Sequence, residues 1–130
     1  MEAEAILSVL DLVKDGRIEL VSSDALVFEI GRNPHLTRQE FAQETIAEAP
    51  SHVELSKTVE RRAQALNKTG IATLDSLHLA SAEAGDADFF CTCDDSFLKK
   101  AKREVSGRTQ IVSPLELAEE IGKWDSRQGR

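Results

Sequence analysis

Three acidic residues occupy positions where an ordinary surface carboxylate is not expected. Asp75 falls in a helical pattern whose neighbours three and four positions away are mostly apolar and include no basic partner. Asp94 directly follows the short apolar strand pattern "DFFCTC". Glu29 lies near the end of a short helical pattern, where the helix dipole disfavours an anion by up to about 1 kcal/mol. Since an isolated buried carboxylate is costly, a bound cation is one explanation for all three.

Each of these acids also has an ordinary structural explanation. Asp75 can lie in the first turn of its helix, beside the candidate N-cap Thr73, where the helix dipole favours a negative charge. Asp94 can cap the helix predicted for "DSFLKKAKR", and Arg32 can neutralise Glu29. Capping does not exclude ligand binding, because ligands of open parallel sheets bind at the carboxyl ends of the strands.

Hydrophobic periodicity and turn residues predict the elements that must position the three acids. The predicted strands are "RIELVSS", "HVEL", "DFFCTC" and "TQIVS". Helices are predicted over residues 3–14, 23–31, 37–48, 56–70 and 95–105, around Asp75, and from Pro114 onward. The alternation of strands and helices predicts an α/β fold with a mostly parallel sheet, covered on both faces. One edge of that sheet is expected to gather the three acids.

Carboxylates gathered in this way need a counter-charge. Two unit charges about 4 Å apart repel by about 4 kcal/mol at an effective dielectric constant near 20. A shared divalent cation removes that repulsion. A ligand set made only of oxygen atoms favours Mg²⁺ or Mn²⁺ over zinc.

Composition bounds the possible classes of protein. The 130 residues are 30% charged and 41% apolar, which predicts one globular domain over residues 1–130. No segment is apolar and long enough to cross a membrane, and the start "MEAEAIL" does not have the pattern of a signal peptide, so the cytoplasm is the expected location. Cys91 and Cys93 are expected to be reduced thiols. The net charge of -7 disfavours passive attraction to nucleic acid or anionic lipid but suits a carboxylate cluster that binds a cation.

One long segment resembles a known family. The stretch "TLDSLHLASAEAGDADFFCTCDDSFLKKAK" resembles the C-terminal half of the PIN-domain family, with D-x-x-H-x-A-x-A at Asp75–Ala82 and T-x-D-x-x-F at Thr92–Phe97. The stretch "ELVSSDALVFEI" is similar to the second strand and following helix of the family, with Glu29 at the position of the acid in that motif. The stretch "IVSPLEL" is similar to the last strand, so the resemblance covers nearly the whole chain from Glu4.

The resemblance implies a three-layer α/β/α fold with strand order 3-2-1-4-5 and a site of three or four acids that binds Mg²⁺ or Mn²⁺. It implies an endoribonuclease, and many members of the family are toxins of toxin-antitoxin pairs. Glu29, Asp75 and Asp94 then become catalytic metal ligands, and Thr92 supports the site. His78 lies one helical turn from Asp75, where it can orient a ligand or contact phosphate, and its ordinary explanation is a core histidine. The basic residues expected to bind RNA are Lys99, Lys100, Lys102 and Arg103. An antitoxin protein and a second copy of the chain are the expected protein partners.

The chain departs from the family pattern at its start. The family begins with a central strand that ends in an Asp, whereas this sequence begins within the pattern of the following helix. The expectation is a PIN-like domain truncated at its N-terminus, in which "IELVSS" and "DFFCTC" pair directly or stay apart. Activity would then require that the missing acid be dispensable or supplied by a longer chain.

Two other classes of function compete with the ribonuclease hypothesis. The first is a catalytically inactive, truncated PIN-like module that acts through partner contacts. The second is a receiver-like signalling domain, to which the "CDDS" stretch has a loose similarity. A receiver domain places a Lys after its last strand, and "TQIVSPLE" contains none. Divalent-ion binding separates the interaction module from the nuclease, and reaction with a small phosphodonor identifies the receiver.

Overall fold

The computed structural model describes residues 12–32, 34–105 and 107–127. Its strands are β1 (Val21–Ser23), β2 (Ser51–Val53), β3 (Phe89–Cys91) and β4 (Gln110–Val112). Its helices are α1 (Asp24–Gly31), α2 (Leu36–Ala47), α3 (Lys57–Lys68), α4 (Thr73–Ala84), α5 (Asp95–Glu104) and α6 (Pro114–Arg127). Most of the helix predicted over 3–14 lies outside the described residues. Residues 12–14 are helical, and Gly16 follows them with a φ of 73°.

The strands pair in two separate parallel sheets. β1 pairs with β2, with Val21 opposite Ser51, and β3 pairs with β4, with Phe89 opposite Gln110. The parallel pairing and the alternation of helices and strands confirm the predicted α/β class. The resemblance to the PIN-domain family, with its strand order 3-2-1-4-5, implies that these pairs are strands 2 with 3 and strands 4 with 5. Each strand has only three residues, fewer than the sequence pattern predicted.

The chain divides into two compact units. The first covers residues 20–87, and the second contains the described residues before Leu20 together with those from Asp88 onward. Along the part of the chain that the structure describes, no helix is both long and apolar enough to span a bilayer.

The core of the first unit is the pair of helices α3 and α4. Val59, Ala63 and Leu66 are buried on α3, at the i, i+4 and i+7 positions of one helical face, and Leu79 and Ala80 are buried on α4. Close packing continues to the sheet at Gly85, where a Cβ atom would lie 2.8 Å from Cγ2 of Val53. A residue larger than glycine at the end of α4 would therefore force the side chain of Val53 to shift.

The core of the second unit lies between its sheet and the helices that follow each strand. Phe97 and Ala101 are buried on α5, Ile111 on β4 and Leu117 on α6. The ring of Phe97 packs edge-on against Phe90, with ring centroids 5.5 Å apart. This packing fixes the start of α5 against the end of β3.

A hydrogen-bond network joins the two strands of the first unit at the start of α1. Nδ1 of His52 lies 3.1 Å from Oγ of Ser22, and Nε2 of His52 lies 2.7 Å from Oδ1 of Asp24. The backbone N–H of Leu55 donates to Oδ2 of Asp24 at 2.7 Å. The Leu55 N–H, followed by His52, lowers the pKa of Asp24 below its ordinary value. The network therefore stabilises the ionised form of Asp24.

Asp24→Asn is expected to lower the melting temperature at neutral pH and to lose this effect in acid. The pKa of Asp24 is lowered in the folded state. The contribution of its carboxylate to folding stability is therefore complete above the unfolded pKa of about 3.9 and disappears as pH falls through the folded pKa. Thermal unfolding of both proteins between pH 3 and pH 7 measures the difference. Glu40→Gln, at an exposed position on α2, is the control for removal of one surface charge. A difference that stays constant down to pH 3 would contradict this expectation.

Candidate active site

The side chain of Glu29 contacts helix α4. Glu29 lies in the last turn of α1, as predicted, and its carboxylate is paired with Nε2 of His78. The side chain of His78 is only 13% exposed, whereas that of Glu29 is 52% exposed. The guanidinium group of Arg32, which sequence offered as the partner of Glu29, lies over the ring of Phe28 at 5.4 Å. The structure therefore connects Glu29 to the D-x-x-H motif.

Asp75 lies in the first turn of α4 and is half-buried. The predicted N-cap, Thr73, is wrong: the helix begins at Thr73, and Ala72 occupies the N-cap position without a side-chain hydrogen bond. The first turn is instead fixed by Ser76, whose hydroxyl donates to the carbonyl of Ile71 at 3.2 Å. His78 is three positions after Asp75, so both side chains lie on one side of α4. The carboxylate of Glu29 is thereby brought to the side of α4 that carries Asp75.

Asp94 is the N-cap of α5 at the carboxyl end of β3. Its Oδ1 accepts a hydrogen bond from the backbone N–H of Phe97 at 3.1 Å, so the capping role expected for this residue is confirmed. The backbone N–H of Asp94 donates to Oγ1 of Thr92 at 3.1 Å, and the N–H of Thr92 donates to the carbonyl of Val112 at 3.0 Å. Thr92 therefore anchors the turn that presents Asp94, which remains exposed.

The basic residues of α5 differ in what they contact. Lys102 is bound to Glu116 of α6, with Nζ 3.2 Å from Oε2. Lys99 and Arg103 are exposed and lie four positions apart, on one face of the helix, while Lys100 is half-buried. Of the four predicted RNA-binding residues, Lys99 and Arg103 present their charges most directly to solvent.

The comparison with protein families gives one match. The PIN domain model matches residues 2–103, which is most of the chain. The chain belongs to the PIN-domain family. No curated protein and no solved structure matches it. The matched region includes Glu29, Asp75 and Asp94, and it draws residues from both compact units.

Membership of the PIN family implies a nuclease-type domain, and PIN domains generally use divalent metal ions. The donor chemistry fits such an ion, because three carboxylates provide the hard oxygen ligands that Mg²⁺ and Mn²⁺ prefer. Within the residues that the structure describes, no three His, Cys, Asp or Glu side chains are grouped as a metal site. Glu29 and Asp75 belong to the first unit and Asp94 to the second, so their meeting at one ion stays a prediction.

Two features of this PIN domain were not assigned a role from sequence. His52 of β2, to which the sequence pattern gave no function, bridges Ser22 of β1 and Asp24 at the start of α1. Cys91 and Cys93 are reduced thiols, as expected. Burial raises the pKa of the Cys91 thiol to about 11, and Cys93 and Glu116 add to the shift. Cys91 therefore stays protonated at neutral pH and is a poor ligand for a metal ion.

Proposed function

We propose that this PIN domain is an endoribonuclease that hydrolyses RNA phosphodiester bonds with Mg²⁺ or Mn²⁺. Glu29, Asp75 and Asp94 are its metal ligands and catalytic residues. The observation that carries the proposal is the contact between Glu29 and His78. It joins a carboxylate of α1 to the side of α4 that carries Asp75, within the region that matches the family.

Each residue of the proposed site has a distinct task. The bound ion lowers the pKa of a water molecule and neutralises charge on the phosphate. Glu29, Asp75 and Asp94 hold the ion through oxygen atoms. His78 fixes the orientation of the Glu29 carboxylate, and Thr92 fixes the turn that carries Asp94. Orientation of ligands by such neighbouring groups typically changes metal affinity or activity by about 10- to 100-fold.

The proposal is tested by incubating the chain with a mixed RNA substrate in Mg²⁺, in Mn²⁺ and in excess chelator. Cleavage that requires the ion and is lost in an identically purified Asp75→Asn variant supports the proposal, because a contaminating nuclease would survive the substitution. Equal cleavage by both proteins, or none by either, would contradict it for this chain.

A second candidate is an inactive PIN-like module that acts through contacts with partners. Calorimetric titration with Mn²⁺ separates the two candidates, since the inactive module need not bind the ion. The family match gives no support to the receiver-like alternative.

The proposed biological setting is that of a toxin whose activity is held in check by an antitoxin protein. RNA is the substrate, and self-association into a homodimer is a further part of this proposal. Each partner rests on the family resemblance. Co-expression with a neighbouring gene product and sedimentation of the purified chain test the two protein partners separately.

Replacement of both Lys99 and Arg103 by Ala is expected to weaken binding of single-stranded RNA and to reduce its salt dependence. Each lost phosphate contact lowers the slope of log K against log salt by about 0.7, so the double variant loses about 1.4. Filter binding in chelator, across a range of salt concentrations, measures the slope without cleavage. Lys102→Ala is the control, because this ammonium group is already bound to Glu116. If the double variant has the same slope as the native chain, these residues of α5 do not contact RNA.

A further inference from the structure

A groove of about 560 Å³ runs beside β4 in the second unit. One part of its lining comes from the end of α5, including Lys102 and Val105, and another from α6, including Glu119 and Lys123. All four consecutive residues from Thr109 to Val112 line it as well. Successive side chains of a strand point to opposite faces of the sheet. A groove lined by four consecutive residues therefore runs along the edge of the strand.

Among the described residues, β4 is paired with another strand along one edge only. On that edge, the N–H of Gln110 donates to the carbonyl of Asp88 at 2.9 Å, and the carbonyl of Val112 accepts from Thr92 at 3.0 Å. In a parallel sheet, every second residue of a strand bonds to the neighbouring strand on one side, and the residues between them point to the other side. Gln110 and Val112 bond to β3, so the N–H and carbonyl of Ile111 point away from it. No other strand among the described residues pairs with β4. An extended chain can therefore pair with Ile111.

The charges along the groove favour a basic occupant. Glu116 accepts a hydrogen bond from the backbone N–H of Ser113 at 2.9 Å and is paired with Lys102. Glu120 is paired with Lys123 at 3.3 Å. Within the described part of the chain, the exposed Glu119 has no ion pair, and the residues that line the groove include three glutamates and two lysines. This excess of negative charge disfavours RNA at the groove and favours a Lys or Arg side chain.

We propose that the groove binds an extended basic peptide segment of a partner protein, which pairs with the edge of β4 at Ile111 and places a Lys or Arg beside Glu119. Alternate side chains of such a segment face opposite walls. The apolar side chain of Val105 suits an apolar residue, and Glu119 suits the basic residue that alternates with it. None of the proposed catalytic acids lines the groove, and this inference does not rest on nuclease activity.

The probe is a fluorescent hexapeptide of alternating Lys and Val, and the measurement is fluorescence anisotropy with the full chain. We expect binding that is lost when the peptide carries N-methyl groups along one edge, because those groups remove the backbone donors needed for strand pairing. Glu119→Lys should weaken binding by more than about tenfold, since a like charge replaces the attraction. Glu40→Lys on α2 makes the same change in net charge at an exposed position and should leave binding unchanged.

Three results would overturn the peptide proposal. Equal binding of the N-methylated peptide would show that the β4 edge is not used. Equal weakening by Glu119→Lys and Glu40→Lys would show that only the overall charge matters. A dimer seen by sedimentation, abolished by Glu119→Lys in a chain that binds no peptide, would assign the groove to a second copy.

Discussion

Asp94→Asn should reduce metal-dependent RNA cleavage by more than about 100-fold, which exceeds the loss typical of groups that only support a metal ligand. The substitution isolates the charge of Asp94 from its structural role. Asn is as good an N-cap as Asp, so the hydrogen bond from the N–H of Phe97 can persist while the negative charge is lost. Initial rates of cleavage at saturating Mn²⁺, together with the Kd for Mn²⁺ from calorimetry, measure the effect.

The adjacent Asp95 provides the matched control. Asp95 is exposed in the first turn of α5, and Asp95→Asn removes the same charge one position away. Its cleavage rate should stay within about threefold of the native rate, because a surface charge at a helix start affects stability by only about 0.3–1 kcal/mol. If the two variants lose activity equally, the effect is one of local charge, and Asp94 is not a specific ligand.

Leu79→Ala should lower the free energy of unfolding by about 2–5 kcal/mol, the range for removing a buried leucine. Leu79 is 0% exposed and lies on α4 between His78 and Ala80. Its truncation leaves a cavity beneath the helix that carries Asp75 and His78. Urea denaturation followed by far-UV circular dichroism measures the loss.

Leu115→Ala is the control for the same change of side chain. Leu115 is 70% exposed at the start of α6, so its truncation should change stability by no more than about 0.5 kcal/mol. Similar losses in the two variants would mean that Leu79 does not have the core role that its burial indicates.

The helix limits were largely predictable because capping is local. Ser23, Ser56 and Asp94 each cap the helix that follows them, through a hydrogen bond to a backbone N–H three residues later. The strands were predicted at the right places but too long. The length of a strand depends on how many residues its partner can pair with, and the sequence of a single strand does not contain that information.

The contacts between distant residues could not be read from the sequence. His52 was given no role because its contact with Ser22 depends on the parallel register, in which these two residues are directly opposite. The pairing of Glu29 with His78 likewise connects two helices far apart in the chain. Local patterns correctly placed Asp75 in a first helical turn and Asp94 at a helix cap, because both positions depend only on nearby residues.

The packing of α3 against α4 has a consequence for the order of folding. These helices are joined by a short turn and buried against each other, so their contacts close only a small loop, whereas pairing of β1 with β2 must close a loop that contains α1 and α2. Local contacts form faster than distant ones. We expect amide protons of α3 and α4 to gain protection before those of β1 in pulsed hydrogen exchange, and simultaneous protection would contradict this order. Asp75 and His78 would then be in place before Glu29 arrives.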